Sequence, residues 1–238
     1  MKSRVFLLLL CGMLVQACRL SLTQVQNPVS GENQETATAP AAAPELPGEQ
    51  DTSEALKALL LTPEDLPVEA RYYLPDPGSS SPFHNTEVVA AWGGLPGWDY
   101  LQATGRVDGY YADYLRGSET ASAPEELFCN IVEFETPEGA RLSLTDYNLV
   151  AMDEPGGTQW SYVERPGMDL GDIYLILSTR EPQPGGVDRL WYRIEFSHQN
   201  YVGVVAGFGW ENQVTHEFME NAARALLGKI EAAPLVQP

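Results

Sequence analysis

Asp188–Phe208, DRLWYRIEFSHQNYVGVVAGF, carries the pattern that decides the fold. Leu190, Tyr192, Ile194 and Phe196 alternate with Arg189, Arg193 and Glu195, so one side of the run is apolar and the other polar. A two-residue period is that of a β-strand. A strand with one polar side belongs to an antiparallel sheet whose second face is wet, not to a doubly covered parallel one. Tyr201–Phe208 is a second apolar strand, and His198-Gln199-Asn200 reads as the hairpin turn between the two, Asn being tolerant of positive φ. Upstream, Ile173–Ser178, Leu127–Glu135 and Arg106–Leu115 are rich in Tyr, Val, Ile and Phe and read as further strands.

Spacing and caps place the helices. Gln213–Ile230 carries Val214, Phe218, Ala222, Leu226 and Ile230 at four-residue intervals, a stripe suited to packing on a sheet. Glu54–Leu61 follows the cap candidates Thr52 and Ser53, and Thr62-Pro63-Glu64-Asp65 has cap, Pro and acids in the order that starts a helical turn. Thr136-Pro137-Glu138 repeats that order ahead of Ala140, Leu144 and Tyr147, which share a face. A short helix is expected near Asn85–Trp92, inside a Pro-, Gly- and Ser-rich region from Pro75 to Gly97. The sum is an α+β fold, an antiparallel sheet packed with helices, forming a single domain over residues 52–232.

Ahead of that domain the chain reads as an address. Lys2 and Arg4 precede an uncharged apolar run, Val5–Val15, closed by Gln16, Ala17 and Cys18. This is the layout of a secretory signal peptide over residues 1–17. As a helix, roughly 11 apolar residues span about 16 Å, too short for a ~30 Å hydrocarbon core. Val15-Gln16-Ala17-Cys18 resembles the lipobox of bacterial lipoproteins, although Gln16 stands where a small residue is usual. That resemblance implies cleavage before Cys18 and a membrane anchor of acyl chains such as palmitate on it; two chains suffice for stable attachment. The alternative is ordinary cleavage after Ala17, with Cys18 unmodified. From residue 18 to 51 the chain is rich in Gln, Asn, Thr, Ala, Pro and Glu and reads as a disordered linker. About 30 such residues reach roughly 30 Å.

The full chain has 14 basic and 33 acidic residues, a net charge of −19, and loss of Lys2 and Arg4 with the leader takes it to −21. This disfavours nucleic acid, whose phosphates are held by Lys and Arg. It also disfavours adsorption on anionic lipid, which leaves a covalent anchor as the expected link to the membrane. With Cys11 in the leader and Cys18 acylated, Cys129 is left without a disulfide partner and reads as a small packed residue.

A longer pattern accompanies these elements. Gly105-Arg106-x-x-Gly109-Tyr110 opens a strand, IVEFETPEGA (131–140) leads into a helix, and Leu170-Gly171-Asp172 precedes a strand. WYRIEF (191–196), NYVGVVAGFG (200–209) and a terminal helix ending ALLGKI (225–230) complete it. This resembles PsbP-like exported lipoproteins, including bacterial sensor-like and LpqN-like domains, over most of residues 100–231. The resemblance implies a PsbP-like sandwich and a non-enzymatic extracytoplasmic module that binds or assists other components. It carries over no site residue. Arg106 and Gly109 match the pattern and are read as structural.

Residues that could carry chemistry form no complete set. His216-Glu217-Phe218-Met219-Glu220 has Glu where the HExxH zinc helix needs its second His, so no metal is expected. Ser197 and His198 are adjacent on a strand end and point apart. Gly207-Phe208-Gly209 reads as a tight turn, not a dinucleotide loop, and no cofactor is expected. The acid pairs Glu125-Glu126 and Asp169/Asp172 are unremarkable among 33 carboxylates. The candidate ligand groove is Trp92, Trp98, Asp99 and Tyr100, three aromatics on a Gly/Pro frame with Asp99 as polar anchor; plugging the core edge is the alternative role of these rings. The expectation is a membrane-anchored extracytoplasmic domain binding a small ligand or an envelope protein. A cell-envelope hydrolase with an unrecognised carboxylate site is the alternative, and a structural envelope component a third.

Overall fold

The structure is a computed structural model that describes residues 52–67, 72–76, 79–91, 95–117, 122–147, 160–165 and 167–233. The expected leader, Cys18, the linker and Trp92 lie outside the described residues. Among those described, one antiparallel sheet of eight strands carries the fold. The strands are β1 (Tyr73–Pro75), β2 (Ser81–Pro82), β3 (Arg106–Arg116), β4 (Glu126–Phe134), β5 (Ser161–Tyr162), β6 (Ile173–Glu181), β7 (Arg189–His198) and β8 (Tyr201–Trp210). Their order is β1-β3-β4-β8-β7-β6-β5, with β2 also on β3. The β3–β4 pair and the β6–β7–β8 meander join where β8 lies beside β4, from Glu126↔Phe208 to Glu133↔Tyr201. The helices are α1 (Ser53–Leu59), α2 (Asn85–Ala91), α3 (Leu95–Thr104), α4 (Pro137–Leu142), which runs into a π-helical turn at Ser143–Tyr147, and α5 (His216–Glu231). A 3-10 turn, Pro63–Asp65, follows α1.

The four-residue stripe of α5 packs as its spacing requires. Phe218, Met219, Ala222, Ala223, Leu226 and Ile230 are buried. They share one core with Leu190, Tyr192, Ile194 and Phe196 of β7, Leu127, Cys129 and Ile131 of β4, and Leu56 of α1. Thr215 caps α5 by accepting from the Phe218 amide. Gly203 on β8 makes the close approach possible: a Cβ there would lie 2.6 Å from Phe196 Cζ and 3.0 Å from Leu226 Cδ2. Buried tyrosines on this inner face satisfy their hydroxyls on backbone, Tyr73 on the Pro124 carbonyl and Tyr114 on the Leu61 carbonyl. Cys129 is fully buried here, and desolvation pushes its thiol up to about 12. Thiol labelling at neutral pH is therefore expected to leave Cys129 unmodified until denaturant is added, as mass spectrometry of the labelled chain will show.

The opposite, outer face is not simply wet, which corrects the reading of β7. Glu195 and Ser197 on its polar side are buried, and Tyr201–Gly209 of β8 is buried at every position. α4 lies across β4, β7 and β8 on this side, and α3 packs against α4. Leu101, Ala140, Leu144, Phe134, Val202 and Val204 are buried outside the main core, at the end of the sheet that α4 covers. β8 is central, so its unbroken apolar run is what a strand covered on both sides needs. Gly207-Phe208-Gly209 is continuous strand and not a turn, because β8 runs on to Trp210. A Cβ at Gly207 would meet Met219 Sδ at 2.6 Å. In the β7–β8 turn it is Gln199, and not Asn200, that takes positive φ (53°).

Candidate functional site

The expected groove residues sit on a helix that composition hid. Leu95-Pro96-Gly97 starts α3, and Pro is accepted in the first helical turn because its missing N–H would have no partner there. Trp98, Asp99 and Tyr100 are consecutive on α3, so they leave the axis about 100° apart and do not converge on one groove. Tyr100 is buried with its hydroxyl 3.4 Å from Ser143 Oγ, Trp98 is half-buried and Asp99 is exposed. Trp92 lies outside the described residues.

Side chains do gather on the outer face of the sheet. The register places Tyr111, Asp113 and Leu115 of β3, Glu126, Phe128 and Asn130 of β4, and Trp191, Arg193 and Glu195 of β7 on one side with Ala206 and Phe208 of β8. Burial falls along this face. On β4, Phe134 and Val132 are buried, whereas Asn130, Phe128 and Glu126 are half-buried; on β7, Ser197 and Glu195 are buried, whereas Arg193, Trp191 and Arg189 are half-buried. On β4 and β7 the face therefore opens away from α4, whereas Ala206 and Phe208 of β8 and Asp113 of β3 stay buried on it.

Two aromatic groups stand on the open part. Trp191 stacks on Phe208 with ring centroids 4.2 Å apart, and the Arg189 guanidinium lies 4.0 Å over Phe208 and 5.6 Å from Trp210. Glu125 pairs with Arg189 and fixes that guanidinium. Trp210, at 36% exposure, ends the ladder at the rim. Nearer the β3 edge, Tyr111 and Phe128 stack at 6.0 Å. Arg193 and Glu195 form an ion pair between the two groups. This surface offers flat rings, arginine and both signs of charge.

Asp113 lies beside the second ring pair, directly opposite Phe128. Burial, together with Glu126 and Asp76, pushes its carboxyl up to about 7. Sequence reasoning passed over all these residues. The available signal was Trp191 at an outward position of an alternating strand, and likewise Tyr111 and Asp113 between inward Tyr110, Ala112 and Tyr114.

The other polar clusters read as structural. His216 and Glu220 do meet, Nε2 to Oε2 at 3.0 Å, but the imidazole's Nδ1 lies 2.6 Å from the Tyr192 hydroxyl and Glu220 also holds Arg224. Burial and Arg165 lower the pKa of His216 and favour the neutral ring, in which Nε2 donating to Glu220 and Nδ1 accepting from Tyr192 satisfies both nitrogens. Tyr192 is buried in the inner core, so this chain of bonds ties the start of α5 to β7. Among the described residues no group of three His, Cys, Asp or Glu is placed to hold a metal ion. Arg106 is buried and donates to the Phe83 carbonyl and Asn85 Oδ1, and Asn85 Nδ2 donates back to the Arg106 carbonyl at 3.2 Å. Its guanidinium passes over Gly109, where a Cβ would lie 2.5 Å from Nη2. The Gly-Arg-x-x-Gly spacing is thus a clamp that fastens the chain before α2 to β3.

No family model matches the sequence, and no curated protein matches it significantly. The fold is that of an α+β antiparallel sandwich known from an extracellular domain. Among solved structures, the chain is similar to the crystal structure of the extracellular domain of PknH from Mycobacterium tuberculosis. The TM-score is 0.50 at 16% identity, over 78% of this chain and 100% of that one. At such identity the likeness is one of fold.

Proposed function

We propose that this protein is a non-enzymatic extracytoplasmic binding domain, tethered to the membrane through acylated Cys18, and that it recognises its ligand or partner with the open outer face of the sheet. The observation that carries the reading is the ladder of Trp191, Phe208 and Trp210 with Arg189. Stacked rings on a rigid strand pair are contact area that loses little conformational entropy on binding. The leader-like start and the lipobox-like Cys18 support the location, as does a fold shared with an extracellular domain. Among the described residues no helix is long and apolar enough to cross a membrane.

Two measurements in the native cell test this. Fractionation is expected to find the chain with the membrane and the Cys18→Ala variant released from it; a variant still fully membrane-bound removes the lipid tether from the proposal. A photo-crosslinking residue at position 191 or 210 is expected to give a discrete adduct, and the same residue at exposed Glu217 on α5 is not. Equal labelling from both sides of the sheet would overturn the assignment of the face.

The hydrolase alternative draws on one observation, the carboxyl of Asp113 held near neutral pH beside Glu126. Turnover of cell-wall glycan or ester substrates that vanished in Asp113→Asn would favour it over binding.

A further inference from the structure

Asp113 is an expensive residue for the fold to keep. It is 93% buried, as its 7% exposure states, and among the described residues its carboxyl makes no hydrogen bond and no ion pair. Only its backbone is engaged, the amide donating to Ser80 Oγ at 3.3 Å and the carbonyl accepting from the Asp76 amide at 2.8 Å. It stands on β3 between the segments that pair with β1 and β2. Glu126 on β4 and Asp76, just after β1, face it, and both add negative potential. Along its own cross-strand row the next charged group is Arg193 on β7, which is engaged with Glu195. While ionised, a buried carboxyl with two acidic neighbours and no cation is destabilising, and either a proton or an arriving cation relieves it. Tyr111 and Phe128 stack beside it and supply two ring faces, which attract organic cations and the apolar stems that carry them.

We propose that this corner of the outer face binds an organic cation, a protonated amine on an apolar or aromatic stem, with Asp113 as its ion-pair partner, Glu126 and Asp76 as the source of negative potential, and Tyr111 and Phe128 as the surface that receives the stem. The proposal deepens the reading of the outer face as the binding side and rests on it. A chain with 33 acidic and 14 basic residues favours such a ligand at long range as well. Binding depends on pH with a definite sign. Because the carboxyl of Asp113 is raised to about 7, it is largely protonated at pH 5 and ionised at pH 8. An alkylamine, with a pKa near about 10, keeps its charge throughout. Affinity therefore rises with pH across that window.

The probe is 2-phenylethylamine, titrated by NMR or calorimetry into the full mature chain, with 2-phenylethanol and 3-phenylpropionate as neutral and anionic controls of matched size. Saturable binding of the amine is expected, at least tenfold weaker for the alcohol, and absent for the acid. Asp113→Asn is nearly isosteric with the protonated carboxyl and keeps the fold, which circular dichroism checks; it is expected to weaken the amine at least tenfold and to abolish the pH dependence. Glu217→Ala, on the exposed side of α5, is expected to leave amine binding unchanged. Equal affinity for amine and alcohol, full affinity in Asp113→Asn, or no saturable binding of the amine would each overturn the proposal. If the amine fails while the probe at position 191 still captures its adduct, the cation site falls and the binding face stands. If the amine binds through Asp113 while that probe captures nothing beyond the Glu217 control, the cation site stands and the Trp191 ladder is not the contact surface.

Discussion

Replacing Arg106 with Ala is expected to lower the unfolding free energy by about 3–5 kcal/mol. Two acceptors, the Phe83 carbonyl and Asn85 Oδ1, lose their donor inside the protein, at about 1–3 kcal/mol each, and the packing of the arginine stem is lost as well. Arg106→Lys recovers only part of this, because an ammonium lacks the planar fork that reaches two acceptors at once. Urea unfolding checks the effect, which should appear as a lower midpoint at unchanged slope. Gly109→Ala supplies the control for mechanism. Its Cβ collides with the Arg106 guanidinium, so the substitution should be severe in the native chain and much milder in the Arg106→Ala background. Additive costs would mean that the two residues do not act as one clamp.

Leu226→Ala on α5 is expected to cost about 2–5 kcal/mol, the range for a leucine deleted from a packed core. For a domain of this size that corresponds to a fall in Tm of about 4–20 °C. Leu226 is fully buried and shares the inner core with Phe196 and Ile194, and its Cδ2 lies 3.0 Å from where a Cβ on Gly203 would stand. Glu217→Ala on the exposed side of the same helix should change stability by no more than about 0.5 kcal/mol. Calorimetry of the two variants separates them, and a small effect at Leu226 would mean that α5 is not docked on this face.

Both results matter to function because the outer face can serve recognition only if the sheet beneath it is rigid. The inner core holds β7 and β8 in register, and the Arg106 clamp holds the chain before α2 against β3. Trp191 with Phe208 and Tyr111 with Phe128 stand on the strands that these contacts hold, which is what the proposed recognition requires.

Much of this architecture was legible in the amino-acid order. Alternation on β7, the Leu226 stripe of α5 and the Thr-Pro starts of the 3-10 turn and α4 are local signals, and each element formed where they point. α3 was hidden because Leu95-Pro96-Gly97 has the composition of a loop, and a Pro in the first helical turn is compatible with either. β1, β2 and β5 span two or three residues each, too short for a periodic signal.

The site was less legible than the fold. Glu195 and Ser197 look solvent-facing by parity, yet they are buried, because α4 returns across the far side of β7 and β8. Glu126 looked like one acid among many until the register set it near Asp113. Local spacing determined which residues of each strand and helix share a side, since that follows from the fixed geometry of the backbone. Only the tertiary structure decided which strands are neighbours, which side α4 covers, and that an unpaired carboxyl lies beside two stacked rings. Those relations join residues far apart in the chain, through long-range pairings that no short window of sequence contains.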